Sequence, residues 1–376
     1  MNDRYRMDGH KLLWHLDRVK AWGRGERISP LHIDLGITTG CNLACTYCYG
    51  VLQGRAGYGT NATKRFDMPK EPLLRLLSDA KKIGVRSIAL IGEGENTLNP
   101  ALYAALEHSA KISLDMSLAT NGILIRQDKA EIMLSSLKWI RFNISSATPE
   151  SYALIHQTHP EIFYKVVKNA EMLVKMKRGN KHHATLGLQM IITKQNADQI
   201  IPLAKLGKQI GVDYAVFKSC SDNSSKSLDS PDNEYLEMEP IFSEAELEST
   251  ESYSVVIKRQ KLRNLGLKDY TSCNGTQFIL AISGNGRVFP CGHWFNIRQD
   301  EFLMGNVITS PLEEIVKSER YWEVQKKIQA VNVNHDCETN CRQHYINQFL
   351  SRVKDGKINL DECEVPEETP AHINFI

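Results

Sequence analysis

The sequence predicts an α/β protein with a parallel sheet, followed by a smaller cysteine-bearing C-terminal unit. Three observations carry this. Strand-like and helix-like segments alternate between residues 31 and 220. Three cysteines, Cys41, Cys45 and Cys48, follow directly on the first strand-like segment. Five of the other six, Cys273, Cys291, Cys337, Cys341 and Cys363, fall in the last third of the chain.

In chain order, residues 9–22 (GHKLLWHLDRVKAW) place Leu12, Leu13, Leu16, Val19 and Trp22 at helical spacing, and Gly23 and Gly25 end that helix. Residues 31–38 alternate as a strand does. Strand patterns recur at 86–92, 114–120, 139–145, 185–193 and 214–220. Helical patterns lie between them at 72–84, 100–111, 129–137, 163–177 and 197–211. Strands joined by helical crossovers form a parallel sheet, and in such folds the chemistry sits at the C-terminal strand ends. Residues 221–250 are polar and acidic and read as a linker or lid. In residues 277–292 two apolar runs flank Gly284-Asn285-Gly286, a hairpin signal. A helix is expected near 311–329, then a loop-rich tail. The expected divisions are a helical extension (1–30), the parallel α/β unit (31–220), a linker or lid (221–262) and the cysteine-bearing unit (263–376).

Composition bounds the function. The chain has 376 residues, 42% of them hydrophobic, enough for a large core and unlike a disordered chain. With 46 Lys+Arg against 44 Asp+Glu, a whole-chain nucleic-acid binder is not expected. No apolar run approaches the ~20 residues of a membrane helix. The start, MNDRYRMDGH, lacks the apolar core of a signal peptide. A cytoplasmic protein with reduced thiols is expected, so its nine cysteines read as metal ligands or reactive thiols.

Thiolates packed as tightly as Cys41, Cys45 and Cys48 select zinc or an iron–sulfur cluster. A structural zinc wants four ligands. Three thiolates on a four-iron cube leave one iron open to an outside ligand. The pattern Cys41-x3-Cys45-x-Tyr47-Cys48 resembles the signature of the radical S-adenosylmethionine (SAM) superfamily, with Tyr47 as its aromatic residue. Gly92-Glu93-Gly94-Glu95 follows the second strand, as does the family's glycine–glutamate motif, with Asn96 where a proline is usual. The resemblance implies a partial (β/α)6 TIM-type barrel over 31–220. It implies that Gly92 and Gly94 let the backbone approach SAM and that Glu95 accepts from its ammonium. Asn121, Asn143 and Ser145, at the third and fourth strand ends, and Gln189 on the fifth are the other expected SAM contacts. It also implies the chemistry: a reduced [4Fe–4S] cluster cleaves SAM, and the 5′-deoxyadenosyl radical takes a hydrogen atom from a substrate. A flavodoxin or ferredoxin is the expected reductant.

Cys273, a hairpin glycine, Cys291 and the distal pair Cys337 and Cys341 resemble the auxiliary-cluster domain called SPASM, or its shorter form, twitch (a β-hairpin plus helix). Four thiolates supply a closed auxiliary [4Fe–4S] site, with Cys363 as an alternative to one of the distal pair. The same four suit a tetrahedral zinc, and a zinc-bound scaffold is the non-enzyme alternative. His293 and His344, beside these cysteines, are candidates to support a cluster or contact the substrate, or are plain structural residues. Cys220, at the end of the sixth strand, is a candidate hydrogen-atom donor of the kind that related epimerases use, or a small buried hydrophobe. Lys218 beside it is a candidate for binding a substrate anion. The thirty residues before the first strand are too few for a winged-helix peptide-recognition domain. The single auxiliary cluster resembles that of the family's dehydrogenases of sugar-like alcohols, which implies a sugar-, cyclitol- or nucleotide-sugar-like substrate; a peptide-modifying enzyme forming a cross-link or thioether is the alternative.

Overall fold

The computed structural model describes residues 4–52 and 65–376. A 3₁₀ turn at Leu12–His15 leads into α1 (Leu16–Gly23) and β1 (His32–Leu35). Then come α2 (Lys70–Lys82), β2 (Ser87–Leu90), α3 (Leu102–Lys111), β3 (Asp115–Thr120), α4 (Ala130–Ser136) and β4 (Leu137–Asn143). They are followed by α5 (Pro149–His156), α6 (Glu161–Asn180), β5 (Thr185–Ile192), α7 (Ile200–Ile210) and β6 (Tyr214–Ser219). Next are α8 (Glu234–Glu237), α9 (Glu239–Glu246), β7 (Ser254–Ile257) and α10 (Arg259–Arg263). The C-terminal part holds β8 (Ile279–Ile282), β9 (Arg287–Phe289), α11 (Gln299–Phe302), β10 (Gly305–Asn306), α12 (Leu312–Lys317), α13 (Glu319–Ile328) and α14 (His344–Lys354).

The strands form one ten-stranded sheet in the order β10-β9-β8-β1-β2-β3-β4-β5-β6-β7. Strands β1 to β7 pair in parallel, and β8 joins β1 in parallel before turning back into β9. The sheet is open between β7 and β10, so it is a partial barrel. Alternate side chains set its two faces. Ile33, Leu35, Ile88, Leu118, Ile140, Phe142, Leu188 and Phe217 point outward into the core shared with the helices. Burying that apolar layer is what holds the crossover helices on the sheet.

All six sequence-predicted parallel strands form. The structure differs in three places. Segment 221–262 is not a plain linker: Phe242 and Ala245 of α9 are buried, and β7 extends the sheet beside β6. Four residues flanked by polar sequence gave too short a pattern to read. The helix expected over 311–329 is two. Ser318 is extended (ψ 149°), and its side chain caps α13 by accepting from the Tyr321 N–H at 3.2 Å. The tail expected to be loop-rich holds α14, which buries Tyr345, Ile346, Phe349 and Leu350.

The C-terminal residues close the barrel at the starts of its strands. Asn374 donates to Asp115 at 2.7 Å and accepts from Ser87 through its carbonyl. His372 contacts Thr185 at 2.7 Å, and the Phe375 ring sits 5.6 Å from both His32 and Trp139. Lys11 and His15 hold this tail through the carbonyls of Ala371, His372 and Ile373. One end of the barrel is thereby sealed, and the C-terminal strand ends are the open mouth.

Candidate functional site

Cys41, Cys45 and Cys48 sit on the loop after β1. The backbone of this loop is tied to the end of α5, with Thr46 N–H donating to Ile155 at 2.9 Å. Burial first, then the Cys48 and Cys41 thiols, push the Cys45 thiol well above its usual pKa. A thiol whose ionisation is opposed by two neighbouring thiols is one that metal binding would relieve. His156 Nδ1 lies 3.1 Å from Cys45 Sγ. Its Nε2 accepts from the Ser145 N–H at 3.1 Å, so the ring proton is on Nδ1 and faces the sulfur. Burial pushes His156 down to about 3, which keeps it a neutral donor. Sequence reading missed His156, because only the fold brings α5 against the cysteine loop.

Each of the expected SAM-contact residues has a distinct setting. A Cβ at Gly94 would fall against the Gly40 and Thr38 carbonyls, so this glycine lets the β2 loop lie on the cysteine loop. Gly92 packs on Gly36 in the same way. Glu95 Oε1 accepts from Thr97 N–H (3.1 Å), Thr97 Oγ1 (2.7 Å) and Thr120 Oγ1 (2.8 Å), and Oε2 accepts from Asn121 N–H (2.7 Å). The carboxylate thus staples the β2 loop to the end of β3, and Oε2 retains a lone pair. Asn121 Nδ2 reaches back to Asn42, between Cys41 and Cys45, at 2.7 Å. Asn143 and Gln189 face each other in register and bond at 3.0 Å. Ser145 is fully buried and its Oγ accepts from Ile191 N–H at 3.1 Å. The Tyr47 ring packs edge-on to His156, 5.7 Å between centres.

Cys273, Cys291, Cys337 and Cys341 come together below α14 and beside the barrel mouth. All four thiols are raised by burial, and the Cys291 thiol is raised further by Cys337, Cys273 and Cys341. Asn347 of α14 donates to Cys273 Sγ at 3.5 Å. Cys363 lies apart, its Sγ against the Asn359 carbonyl at 3.4 Å. Among the described residues no three His, Cys, Asp or Glu side chains converge as ligands of a single ion do. The donor sets, three thiols and four thiols, fit an open and a closed iron–sulfur cube respectively.

The loop between Cys337 and Cys341 roofs the mouth. Asn340 donates to the Ser219 carbonyl at 2.8 Å, and Thr339 N–H donates to the Asp222 carbonyl at 2.7 Å. Tyr49, next to Cys48, donates to Glu338. Burial pushes Glu338 up to about 8, so this carboxyl tends to stay protonated. His293 Nδ1 is 3.6 Å from Glu338, and His344 is 3.4 Å from the Tyr270 hydroxyl. Cys220 lies just past β6, buried, its N–H donating to Tyr235 at 2.9 Å. Burial, then Asp222, pushes its thiol up to about 12, so it keeps its hydrogen at neutral pH. No helix among the described residues is long and apolar enough to cross a membrane.

Comparison with known proteins agrees with this architecture. Residues 35–207 match the radical SAM superfamily, and residues 273–343 match SPASM, an iron–sulfur cluster-binding domain. The AdoMet-dependent heme synthase of Methanosarcina barkeri is 22% identical over 308 residues, 76% of this chain and 82% of that protein. The crystal structure of Streptococcus suis SuiB bound to S-adenosylmethionine superposes with a TM-score of 0.63 at 15% identity, over 94% of this chain and 80% of that one. SuiB bound to its precursor peptide SuiA gives 0.60 at 16%, over 93% and 78%. The chain carries a radical SAM domain over residues 35–207 and a SPASM iron–sulfur cluster-binding domain over residues 273–343.

Proposed function

We propose that the chain oxidises a polar small molecule held in the barrel mouth, a sugar-, cyclitol- or nucleotide-sugar-like alcohol. The observation that carries this is the roof loop between the distal cysteines: Glu338 bonds Tyr49 beside Cys48, Asn340 bonds the Ser219 carbonyl at the end of β6, and Arg342 lies 3.7 Å from Asp34 of β1. A substrate in the mouth is flanked by both thiol sets. When bound, the two iron–sulfur groups would supply the electron chemistry, one electron into SAM and one out of the substrate radical. The substrate would lose a hydrogen atom to the 5′-deoxyadenosyl radical, giving 5′-deoxyadenosine, and then an electron and a proton, so one oxidised product would form per SAM consumed.

The chain's own residues would do the rest. Cys41, Cys45 and Cys48 hold the open cluster, with His156 fixing Cys45. Asn121, Asn143, Gln189 and the free lone pair of Glu95 Oε2 are the polar groups for SAM. The sealed barrel floor and the roof loop keep water from the radical.

Two other readings have specific support. The peptide bound to SuiB in a similar fold supports a peptide substrate. A Cys220 held as the thiol supports hydrogen return to a substrate radical, that is, epimerisation. The test is anaerobic turnover with dithionite and SAM over a panel of such alcohols, in water and in deuterium oxide. The expected result is one oxidised product per SAM, lost in Cys291→Ala while 5′-deoxyadenosine still forms. One solvent deuterium in an isomeric product, absent in Cys220→Ala, would replace oxidation by epimerisation. Stimulation by peptides alone would move the reading to peptide modification.

A further inference from the structure

The inward faces of β4, β6 and β7 carry cations without matching anions. Side-chain alternation points Arg141, Lys218 and Lys258 into the barrel, on the face opposite Phe142, Phe217 and Ile257. Register sets Arg141 against Gly187 and Lys218 against Ile191. The Lys258 N–H donates to the Phe217 carbonyl at 3.0 Å, which brings Lys258 beside Lys218. Arg141 lies over the Trp139 ring at 4.9 Å, and its buried Nε has no hydrogen-bond partner among the described residues.

The nearby charges leave these groups unneutralised. The strongest charges acting on Lys258 are cations: Lys261, Lys218, Arg141 and Arg342. Lys218 is opposed by Arg141, Lys261 and Arg342, and the Cys220 thiol relieves it. Asp34 is shared: it pairs with His32 at 3.0 Å and Arg342 at 3.7 Å and acts on Arg141, which also bonds the Tyr214 hydroxyl, so one carboxylate faces several cations. Lys261 donates to the Cys341 carbonyl at 2.7 Å. Burial and this mutual repulsion lower Lys218 to about 7 and Lys258 well below its usual value. Enclosing like charges costs stability, and methionine or leucine would fill the same space without it. An anion arriving in the mouth recovers that cost. The carboxylate of SAM brings one negative charge, fewer than the three cations await.

We propose that Arg141, Lys218 and Lys258 are the anion-binding wall of the substrate cavity, and that the substrate carries at least two negative charges as carboxylate or phosphate groups. This rests on the reading of the mouth as the substrate site, and narrows its alcohols to acidic or phosphorylated ones.

The test uses the anaerobically reconstituted, SAM-saturated protein at fixed ionic strength. Tricarballylate, pyrophosphate and uncharged myo-inositol are titrated calorimetrically. One or both anions bind at one per chain and inositol does not. Lys258→Met and Arg141→Gln each weaken that binding about tenfold or more, while exposed Lys168→Met leaves it unchanged. Lys258→Met also raises the urea midpoint, since it removes an unpaired enclosed charge; a merely structural lysine would lower it. Tighter tricarballylate marks a polycarboxylate, and tighter pyrophosphate a phosphorylated substrate. Anion binding that is absent, equal for inositol, or undiminished in both variants overturns the proposal. 5′-Deoxyadenosine formation by the unsubstituted protein with dithionite, run in parallel, judges the radical reading separately.

Discussion

Alanine at Cys41, Cys45 and Cys48 together is expected to abolish 5′-deoxyadenosine formation, to the background of dithionite and SAM alone. Cys48 and Cys41 raise the Cys45 thiol on one short loop, and the other cysteines are placed elsewhere: Cys220 beside Tyr235, Cys363 on the tail, and the remaining four in the C-terminal set. The loop itself should persist, because its backbone is bonded to α5 and its Gly40 carbonyl accepts from Glu95 N–H at 2.8 Å. Loss of cleavage with retained helical circular dichroism is therefore the expected pair of results. A variant that still cleaves SAM would remove the loop from the chemistry.

Replacing Glu95 by alanine is expected to cost stability as well as activity. The Thr120 hydroxyl and the Asn121 N–H, both buried, lose their acceptor. Leaving two such donors unpaired at about 1–3 kcal/mol each gives about 2–6 kcal/mol. The readout is the urea midpoint of the reconstituted protein at unchanged m-value. Glu95→Gln should lose less, since its amide oxygen still accepts from part of the set. A variant with an unchanged midpoint and lost SAM binding would mean that the carboxylate serves SAM rather than the fold.

Glu95 also illustrates what the sequence could tell. The spacing of Gly92, Gly94 and Glu95 behind a strand was legible, because motif and strand are contiguous. Its three bonding partners, Thr97, Thr120 and Asn121, belong to two loops that only the parallel pairing of β2 and β3 brings together. The cysteines behaved likewise. Cys41, Cys45 and Cys48 declare themselves by spacing. That Cys341 joins Cys273, Cys291 and Cys337 while Cys363 does not depends on α14, whose apolar positions lay in a stretch read as loop. Lys218 was visible at the end of an apolar strand, whereas nothing singled out Arg141. Their convergence with Lys258 needed β7, a strand too short to see. The tail AHINFI has no periodicity, because its partners are side chains on five different strands.

The central claim is that two separate thiol sets hold two iron–sulfur clusters. It is tested most directly by counting iron, sulfide and zinc per chain after anaerobic reconstitution, in the protein and in the triple alanine variant. The account predicts about eight irons and eight sulfides, falling to about four of each in the variant, with no zinc. About four irons falling to none, with about one zinc retained on the C-terminal cysteines, would contradict it.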